Sequence, residues 1–356
     1  MDTTQYRRVG LDRQFLVADP LRFPEWDGLL SGHSGGSFFH RTAWARVLHE
    51  TYGHLPAYFC RFGDGQLREL LATAEVSSPL TGRRGVSLPF TDFCAVLHRP
   101  GNNLATLYDE AIAHGRRRGW RYFECRSNDP GWPDASPSLA FHGHVVDLDG
   151  GEDQLFKRFE AAVRRGIRKA ERAGLEVEFR DTGESIRIFY VLHCLTRRRH
   201  GVPPQPFRFF ENVARYVVRD GLGVVATVSM KQSPVAAAVF FHHGNQAYYK
   251  FGASDYRFQQ FRPNNLVMWS AMKRYASQGC LSLHLGRTSL ANEGLRRFKL
   301  SLGAREERLN YYKYDLRRER FVTEPDRAES WANYVFRCFP LGLLRLAGRA
   351  LYPHLS

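Results

Sequence analysis

Basic side chains and a helix start coincide between residues 248 and 304, in a strand–loop–helix pattern. Arg257 and Arg262 stand just before Pro263, and proline is favoured at the first position of a helix. The unpaired N–H groups and the dipole at a helix start attract phosphate. Arginine binds phosphate through paired hydrogen bonds. The segment therefore predicts a site that binds a phosphate-bearing substrate.

Regular elements surround this segment and must position it. Apolar periodicity predicts the following strands and helices of the second half: strands at 223–230, 234–242, 246–252 and 280–285, and helices at 263–278 and 292–302. Strands that alternate with crossover helices imply a mixed sheet covered on at least one face. The first half reads as mixed α/β, with helices at 39–50 and 104–118, strands at 57–61, 66–76 and 84–88, and a hairpin turn at Gly63–Gly65.

Chain length and composition favour two domains with substantial cores. The chain has 356 residues, 43% of them apolar, and a formal charge of +15. That charge favours polyanions, whether nucleic acid, anionic lipid or phosphate-bearing substrates. The six cysteines are far apart and no Cys/His cluster has zinc-like spacing, so we expect free thiols and no metal. The predicted domains are 1–150 and 151–325, followed by a segment at 326–356.

Two segments have a basic face. A predicted helix at 153–173 places apolar residues at steps of three and four and carries seven lysines and arginines on the opposite side. It suits tRNA, lipid headgroups or plain solvation. The C-terminal segment, 331–352, is aromatic and aliphatic with arginines interspersed, and Pro340 breaks it. It is too charged to span a membrane and suits a helix lying on anionic lipid.

Several motifs resemble those of the FemAB-type peptidoglycan-bridge transferases of the GNAT superfamily. These motifs, in chain order, are FFHRTAW at 38–44 with a basic residue, Arg46, two positions after the tryptophan, LPFTDF at 88–93, RRGIRKAERAGLEV at 164–177, LTRRRHGVP at 195–203 and RRFKLSLGA at 296–304. An exopolysaccharide-associated branch is closely related. The resemblance implies two tandem GNAT-like α/β domains, each with a mixed, partly splayed sheet flanked by helices. It covers about residues 30–315.

The resemblance also implies roles for individual residues. Asp92 would orient the acceptor amine or take its proton, and Lys299 would lie near the reacting carbonyl or the acceptor's carboxylate. Arg46 and Arg199 would hold acceptor phosphates. Tyr249, on the splayed strand, would line the substrate channel. The sequence at 257–263 departs from coenzyme A-dependent members, because it has no glycine to let the backbone wrap around a pyrophosphate.

Asn265 and Arg287 complete the predicted substrate-binding set. Each candidate has an ordinary alternative. Asn264 and Asn265 suit the start of a helix, and Asp92 follows a turn that it could cap. Lys299 has arginines beside it at 296 and 297, which is also the pattern of a solvated basic helix face.

The predicted function is transfer of an acyl or aminoacyl group to an amine of a peptidoglycan or exopolysaccharide precursor. The donor would be aminoacyl-tRNA or acyl-coenzyme A, with no tightly bound cofactor. The expected location is the cytoplasm, peripheral to the inner membrane, and the expected partners are tRNA, the envelope precursor and anionic lipid. Two alternatives are a coenzyme A-dependent N-acetyltransferase acting on a sugar amine and an inactive GNAT-like scaffold of polysaccharide synthesis.

Overall fold

The computed structural model describes residues 15–31, 33, 35–99, 101–129, 131, 132, 135–323 and 331–355, with the backbone alone at 331 and 332. Its strands are β1 (Phe15–Ala18), β2 (Leu55–Pro56), β3 (Tyr58–Gly63), β4 (Gln66–Leu71), β5 (Ala74–Ser78), β6 (Gly82–Val86), β7 (Tyr122–Cys125), β8 (Leu139–Asp147), β9 (Leu175–Arg180), β10 (Gly223–Met230), β11 (Ser233–His243), β12 (Gln246–Ser254), β13 (Ser282–Ser289), β14 (Arg305–Asp315) and β15 (Arg320–Phe321). Its helices are α1 (Trp26–Ser31), α2 (Thr42–Tyr52), α3 (Ala105–Arg118), α4 (Gly151–Arg158), α5 (Ala161–Arg172), α6 (Gly183–Arg199), α7 (Phe207–Val213), α8 (Pro263–Ser277), α9 (Glu293–Ser301), α10 (Trp331–Arg337) and α11 (Leu341–Leu351).

The chain divides into two compact units. Among the described residues, the first unit comprises the chain up to Phe141 together with 308–323 and 352–355, and the second comprises 142–307 and 331–351. The predicted division was sequential, with boundaries at 150 and 325. The structural division is not sequential, because the later part of β14 pairs with β7 and so returns to the first unit. The predicted α/β class is confirmed.

The first unit has strand orders β1-β3-β4 and β2-β5-β6-β7-β14, with β15 on β14. The predicted turn at Gly63–Gly65 joins β3 to β4, with Asp64 and Gly65 in the left-handed region. The prediction of one strand over 66–76 is wrong. The chain turns after Leu71, and β5 leaves for the other sheet, where it pairs with β2 and β6.

The second unit is a sheet with the strand order β8-β13-β12-β11-β10-β9. One face packs against α4, α5 and α8 through a core that includes Ala226, Phe240 and Trp269. Aromatic side chains of α6 and α7 cover the other face, where Phe189, Phe209 and Phe210 surround Phe251. Helices on both faces match the crossover pattern of the sequence.

The helix predicted at 153–173 is in fact two helices, α4 and α5. Phe159 and Glu160 between them are extended, with ψ angles of 144° and 149°. The N–H of Glu160 donates to the carbonyl of Ser301 at 3.0 Å, which replaces the intrahelical bond at the break. Val163 and Ile167 are buried, so the predicted apolar face is confirmed.

The C-terminal helices α10 and α11 pack on the second unit. Gly201 and Gly348 allow the closest approaches, since a Cβ on either would collide with a backbone carbonyl, that of Asn333 or that of Pro204. Leu344 is fully buried against this surface. Among the described residues, no helix combines the length and apolar character needed to cross a bilayer.

A buried histidine on α6 predicts acid sensitivity. Burial lowers the pKa of His193 to about 3, and its Nε2 lies 2.9 Å from Oε1 of Gln205. The unfolded chain binds a proton near pH 6.5, so stability is lost as pH falls from 6.5 towards 3. At pH 4.5 this residue alone should lower the free energy of unfolding by about 2–3 kcal/mol. Urea unfolding at pH 7 and 4.5 tests this, and His193→Gln should show a smaller loss than the wild type.

Candidate active site

The sheet of the second unit opens between β12 and β13. Their parallel ladder covers three pairs, from Gln246 with Ser282 to Tyr248 with His284. Both strands continue, β12 to Ser254 and β13 to Ser289, without further pairing to each other. A bulge in β12 accompanies the opening, because Val239 pairs with Phe251 and Phe240 with Tyr249. Bulges re-aim side chains and are enriched next to active sites.

Tyr249 lies at this bulge and packs inward. Its ring centroid is 5.6 Å from that of Phe240, and its hydroxyl end lies over Gly252, where a Cβ would clash with it. Burial raises the pKa of Tyr249 to about 12, so the hydroxyl is protonated at neutral pH. Glycine at 252 is thus required by the close approach of Tyr249 to the backbone of β12.

Lys299, on α9, is hydrogen-bonded to the part of β13 that lies beyond its ladder with β12. It is 4% exposed, and its ammonium Nζ donates to the carbonyls of Gly286 and Arg287, at 2.9 Å each. These carbonyls belong to the part of β13 that no longer pairs with β12. A buried cation beside an open strand edge can stabilise negative charge that develops on a reacting carbonyl. The structure thus brings predicted residues Lys299 and Arg287 together.

A charged cluster lies behind Lys299. Glu306 accepts hydrogen bonds from Nε and Nη2 of Arg296 at 2.8 and 3.0 Å, and these bonds hold the pKa of Glu306 below its usual range. Its carboxylate also lies 3.1 Å from His142 and 3.2 Å from His144. Burial, together with the charge of Lys299, lowers the pKa of His144 to about 4. Glu306 therefore links α9 to β8, the strand beside β13.

Replacement of Glu306 should loosen this cluster. In Glu306→Gln, Arg296 loses its charged acceptor, and we expect the melting temperature to fall by about 2–5 °C. The neighbouring Glu307→Gln is the matched control, because Glu307 makes only a 3.5 Å contact with Arg305. Differential scanning calorimetry measures both. Equal effects of the two variants would contradict the assigned role of Glu306.

An arginine cleft of about 610 Å³ lies where α6 ends and β12 ends. Its lining consists of Leu195, Arg198, Arg199, Ser254, Asp255, Tyr256, Arg257 and Arg337. Arg257 pairs with Asp255 at 2.6 Å, which lowers the pKa of that carboxyl, and the guanidinium of Arg199 lies 4.8 Å from the ring centroid of Tyr256. Four arginines against one carboxylate make the cleft suited to phosphate.

Hydrogen bonds from Thr196 position this cleft. Its hydroxyl donates to the carbonyl of Ser254 at 3.1 Å and accepts from the N–H of Ser254 at 2.9 Å. Gln259 then donates to the Ser254 hydroxyl at 2.7 Å. The end of β12 and the turn that carries Arg257 are therefore held against the last turns of α6.

Asn265 lies in the first turn of α8, where α5 covers it. A Cβ on Gly166 would come within 2.5 Å of the Asn265 amide nitrogen. Arg262, just before the helix, adopts a left-handed conformation with φ of 61°. The start of α8 is thus packed against another helix, which fits the predicted structural alternative for Asn265.

Asp92 and Arg46 belong to the first unit. The carbonyl of Asp92 accepts a 2.5 Å hydrogen bond from the hydroxyl of Tyr311. Its loop contains two left-handed non-glycine residues, Leu88 and Phe90, a costly conformation that is enriched at functional sites. Arg46 lies on the exposed face of α2, opposite buried Trp44.

Sequence reasoning missed the contribution of Arg198, Asp255 and Arg337 to the cleft, and the cluster around Glu306. The sequence places Arg337 in a segment predicted to lie on lipid. No local pattern connects it with Arg199, 138 positions earlier, which lines the same cleft. Within the described part of the chain, no group of histidine, cysteine, aspartate or glutamate residues has metal-binding geometry.

Comparisons with known proteins agree with this geometry. Residues 157–313 match the family described as acetyltransferase (GNAT) domain. A lipid II:glycine glycyltransferase of Staphylococcus epidermidis is 21% identical over 205 residues, which cover 40% of this chain and 49% of that protein. The crystal structure of FemX superposes with a TM-score of 0.66 at 16% identity, over 83% of this chain and 96% of that one. The chain has a FemAB-like GNAT fold.

Other solved structures share the FemAB-like GNAT fold. L-PGS from Bacillus licheniformis has a TM-score of 0.55 at 14% identity, over 94% of this chain and 99% of that one. A tandem GNAT protein from the clavulanic acid biosynthesis pathway has a TM-score of 0.54 at 11% identity, over 86% and 99%. The chain spans about half the length of the curated glycyltransferase that it matches.

Proposed function

We propose that this protein transfers an acyl or aminoacyl group to an amine of a cell-envelope precursor, peptidoglycan or exopolysaccharide. The observation that carries the proposal is the opening between β12 and β13, with buried Lys299 bonded to the part of β13 that lies beyond its ladder with β12. A donor in an extended conformation can enter the opening between the two strands, which brings its carbonyl towards that cation. The similarity to a glycyltransferase named for lipid II supports the choice of an envelope precursor.

The proposed reaction needs positioning more than dedicated chemistry. The amine nitrogen bonds to the donor carbonyl carbon, and the bond from that carbon to the ribose oxygen or thiol sulfur breaks. The amine proton passes to a base, for which Asp92 is the predicted residue, and the leaving group takes up a proton. Lys299 stabilises the negative charge on the carbonyl oxygen. Tyr249 supports the open strand by packing beneath it.

The arginine cleft is the proposed acceptor site. Envelope precursors carry phosphates, and a cleft lined by Arg198, Arg199, Arg257 and Arg337 matches that charge. Arg46, exposed on α2, remains a predicted acceptor contact. Because such precursors are assembled at the inner membrane, a peripheral position on its cytoplasmic surface is part of the proposal.

Aminoacyl-tRNA is the proposed donor. Two observations support it: the turn at 257–262 has no glycine, and α5 packs on the start of α8 through Gly166 and Asn265. A pyrophosphate needs close backbone approach at that helix start. The exposed basic side chains of α5, among them Arg165, Arg168 and Lys169, offer a surface for a polyanion.

The alternative donor is acetyl-coenzyme A with a sugar amine as acceptor, which the description of the matched GNAT family favours. Purified protein is assayed with labelled aminoacyl-tRNA and with labelled acetyl-coenzyme A, each with and without ribonuclease. Ribonuclease-sensitive transfer to an envelope precursor is the expected result. Transfer from acetyl-coenzyme A alone, unaffected by ribonuclease, would contradict aminoacyl-tRNA as the donor. Transfer from neither donor would contradict the proposed transferase activity.

A further inference from the structure

Helices α10 and α11 have an inner face and an outer face. The inner face packs against the rest of the second unit. Leu344 is fully buried there, and Gly348 lets α11 approach the backbone of Pro204. Arg345 extends over the ring of Tyr190 on α6, with its guanidinium 5.4 Å from the ring centroid. The two helices are therefore a fixed part of the second unit, and their outward residues have a defined arrangement.

The outer face is apolar and cationic together. Of the twelve large apolar residues that are exposed in the described chain, five lie on α10 and α11. On α11, Leu343 and Leu346 are 51% and 61% exposed and share one stripe, three residues apart. Arg349, which is exposed, follows Leu346 by three residues and lies beside this stripe. No aspartate or glutamate occurs from 331 to 356.

A membrane is the occupant that this face fits best. Interfacial helices bury a leucine stripe at the acyl boundary while flanking arginines contact anionic headgroups. A second copy of the chain would bring arginines of like charge together, which disfavours self-association. Each arginine near an anionic surface adds to the attraction, and salt screens it.

Arg337 connects this face to the arginine cleft. It lies in the last turn of α10, its guanidinium is 5.2 Å from the ring centroid of Tyr334, and it lines the cleft. Tyr334 is 63% exposed and belongs to the outer face. The same short helix therefore supplies both an outward aromatic residue and a cleft arginine.

We propose that the outer face of α10 and α11 docks on an anionic membrane, and that docking presents the arginine cleft at the level of the lipid headgroups. The docking surface stands on its own observations, whereas the presentation of the cleft rests on the proposed function. A bound protein would then meet a membrane-anchored acceptor by diffusion in two dimensions.

Vesicle flotation of the full chain tests the docking surface. We expect binding to phosphatidylcholine vesicles that contain phosphatidylglycerol, weak binding to phosphatidylcholine alone, and loss of binding in high salt. Leu343→Glu combined with Leu346→Glu should weaken binding at least about tenfold, as should Arg349→Glu. Leu281→Glu is the matched control, because Leu281 is 58% exposed and lies in the same unit but outside α10 and α11.

Thermal unfolding of each variant checks that the fold is kept, as expected for exposed positions. Equal flotation of the wild type and the double variant would overturn the proposal. A wild-type dimer that the double variant dissociates would overturn it too, because the face would then bind a second copy. Transfer to a detergent-soluble acceptor separates the two hypotheses: docking without transfer removes the proposed function alone, and transfer without docking removes this inference alone.

Discussion

Lys299→Met should lower the rate of transfer by about a hundredfold or more, with the KM for the acceptor changed little. The ammonium is buried and fixed by two carbonyls of the open part of β13, so it cannot be replaced by solvent cations. Loss of a preorganised charge acts on the transition state, where negative charge appears on the carbonyl oxygen. Steady-state kinetics with a saturating donor measures the change.

Arg297→Met is the control for Lys299. Arg297 lies on the same helix and is exposed, so a general effect of the basic face of α9 would lower the rate in both variants. Because the carbonyls of Gly286 and Arg287 lose a donor in Lys299→Met, the melting temperature is measured alongside. A folded Lys299→Met protein with the rate of the wild type would contradict a catalytic role for this lysine.

Arg198→Ala combined with Arg199→Ala should raise the KM for a phosphate-bearing acceptor about a hundredfold and leave kcat within about threefold. Both side chains line the cleft at the end of α6 and are exposed there. Hydrogen bonds between charged groups contribute about 1.5–3 kcal/mol each, and two of them account for the expected factor. Such contacts bind ground state and transition state alike, so the effect falls on KM.

Arg187→Ala is the matched control for the cleft, because Arg187 is an exposed arginine at the other end of α6. It removes the same charge and should leave KM unchanged. An acceptor from which the phosphate groups have been removed offers a second control, since the double variant and the wild type should then have similar KM values. A hundredfold loss that appears in kcat instead would place these arginines in the reaction step.

Local pattern was sufficient for most elements of the second unit. Apolar periodicity and glycine or proline at the ends predicted β10, β11, β12, α8 and α9 with bounds close to those observed, because each depends on residues within a few turns. The left-handed Gly119 at the end of α3 and the tight turn before β4 have the same local origin. Motif order further predicted the FemAB-like GNAT fold.

Prediction was weaker where an element depends on distant partners. At the break between α4 and α5, the N–H of Glu160 bonds to the carbonyl of Ser301, about 140 residues later in the chain. The apolar pattern of the sequence continues across the break and gives no sign of it. The strand β14 was not predicted, because its sequence, REERLNYYKYD, is polar at its start and gains its order from pairing with β7. Both depend on the tertiary structure rather than on propensity.

The candidate site likewise has features that depend on local sequence and features that depend on distant contacts. The sequence by itself determined which side chains carry suitable chemistry, among them Arg199 and Lys299, since residue type and motif order are local properties. Only the tertiary structure decided that Arg337 lines the cleft with α6, and that Lys299 bonds to the part of β13 beyond its ladder with β12. Such contacts arise when separate elements pack against one sheet, and no spacing along the chain encodes them.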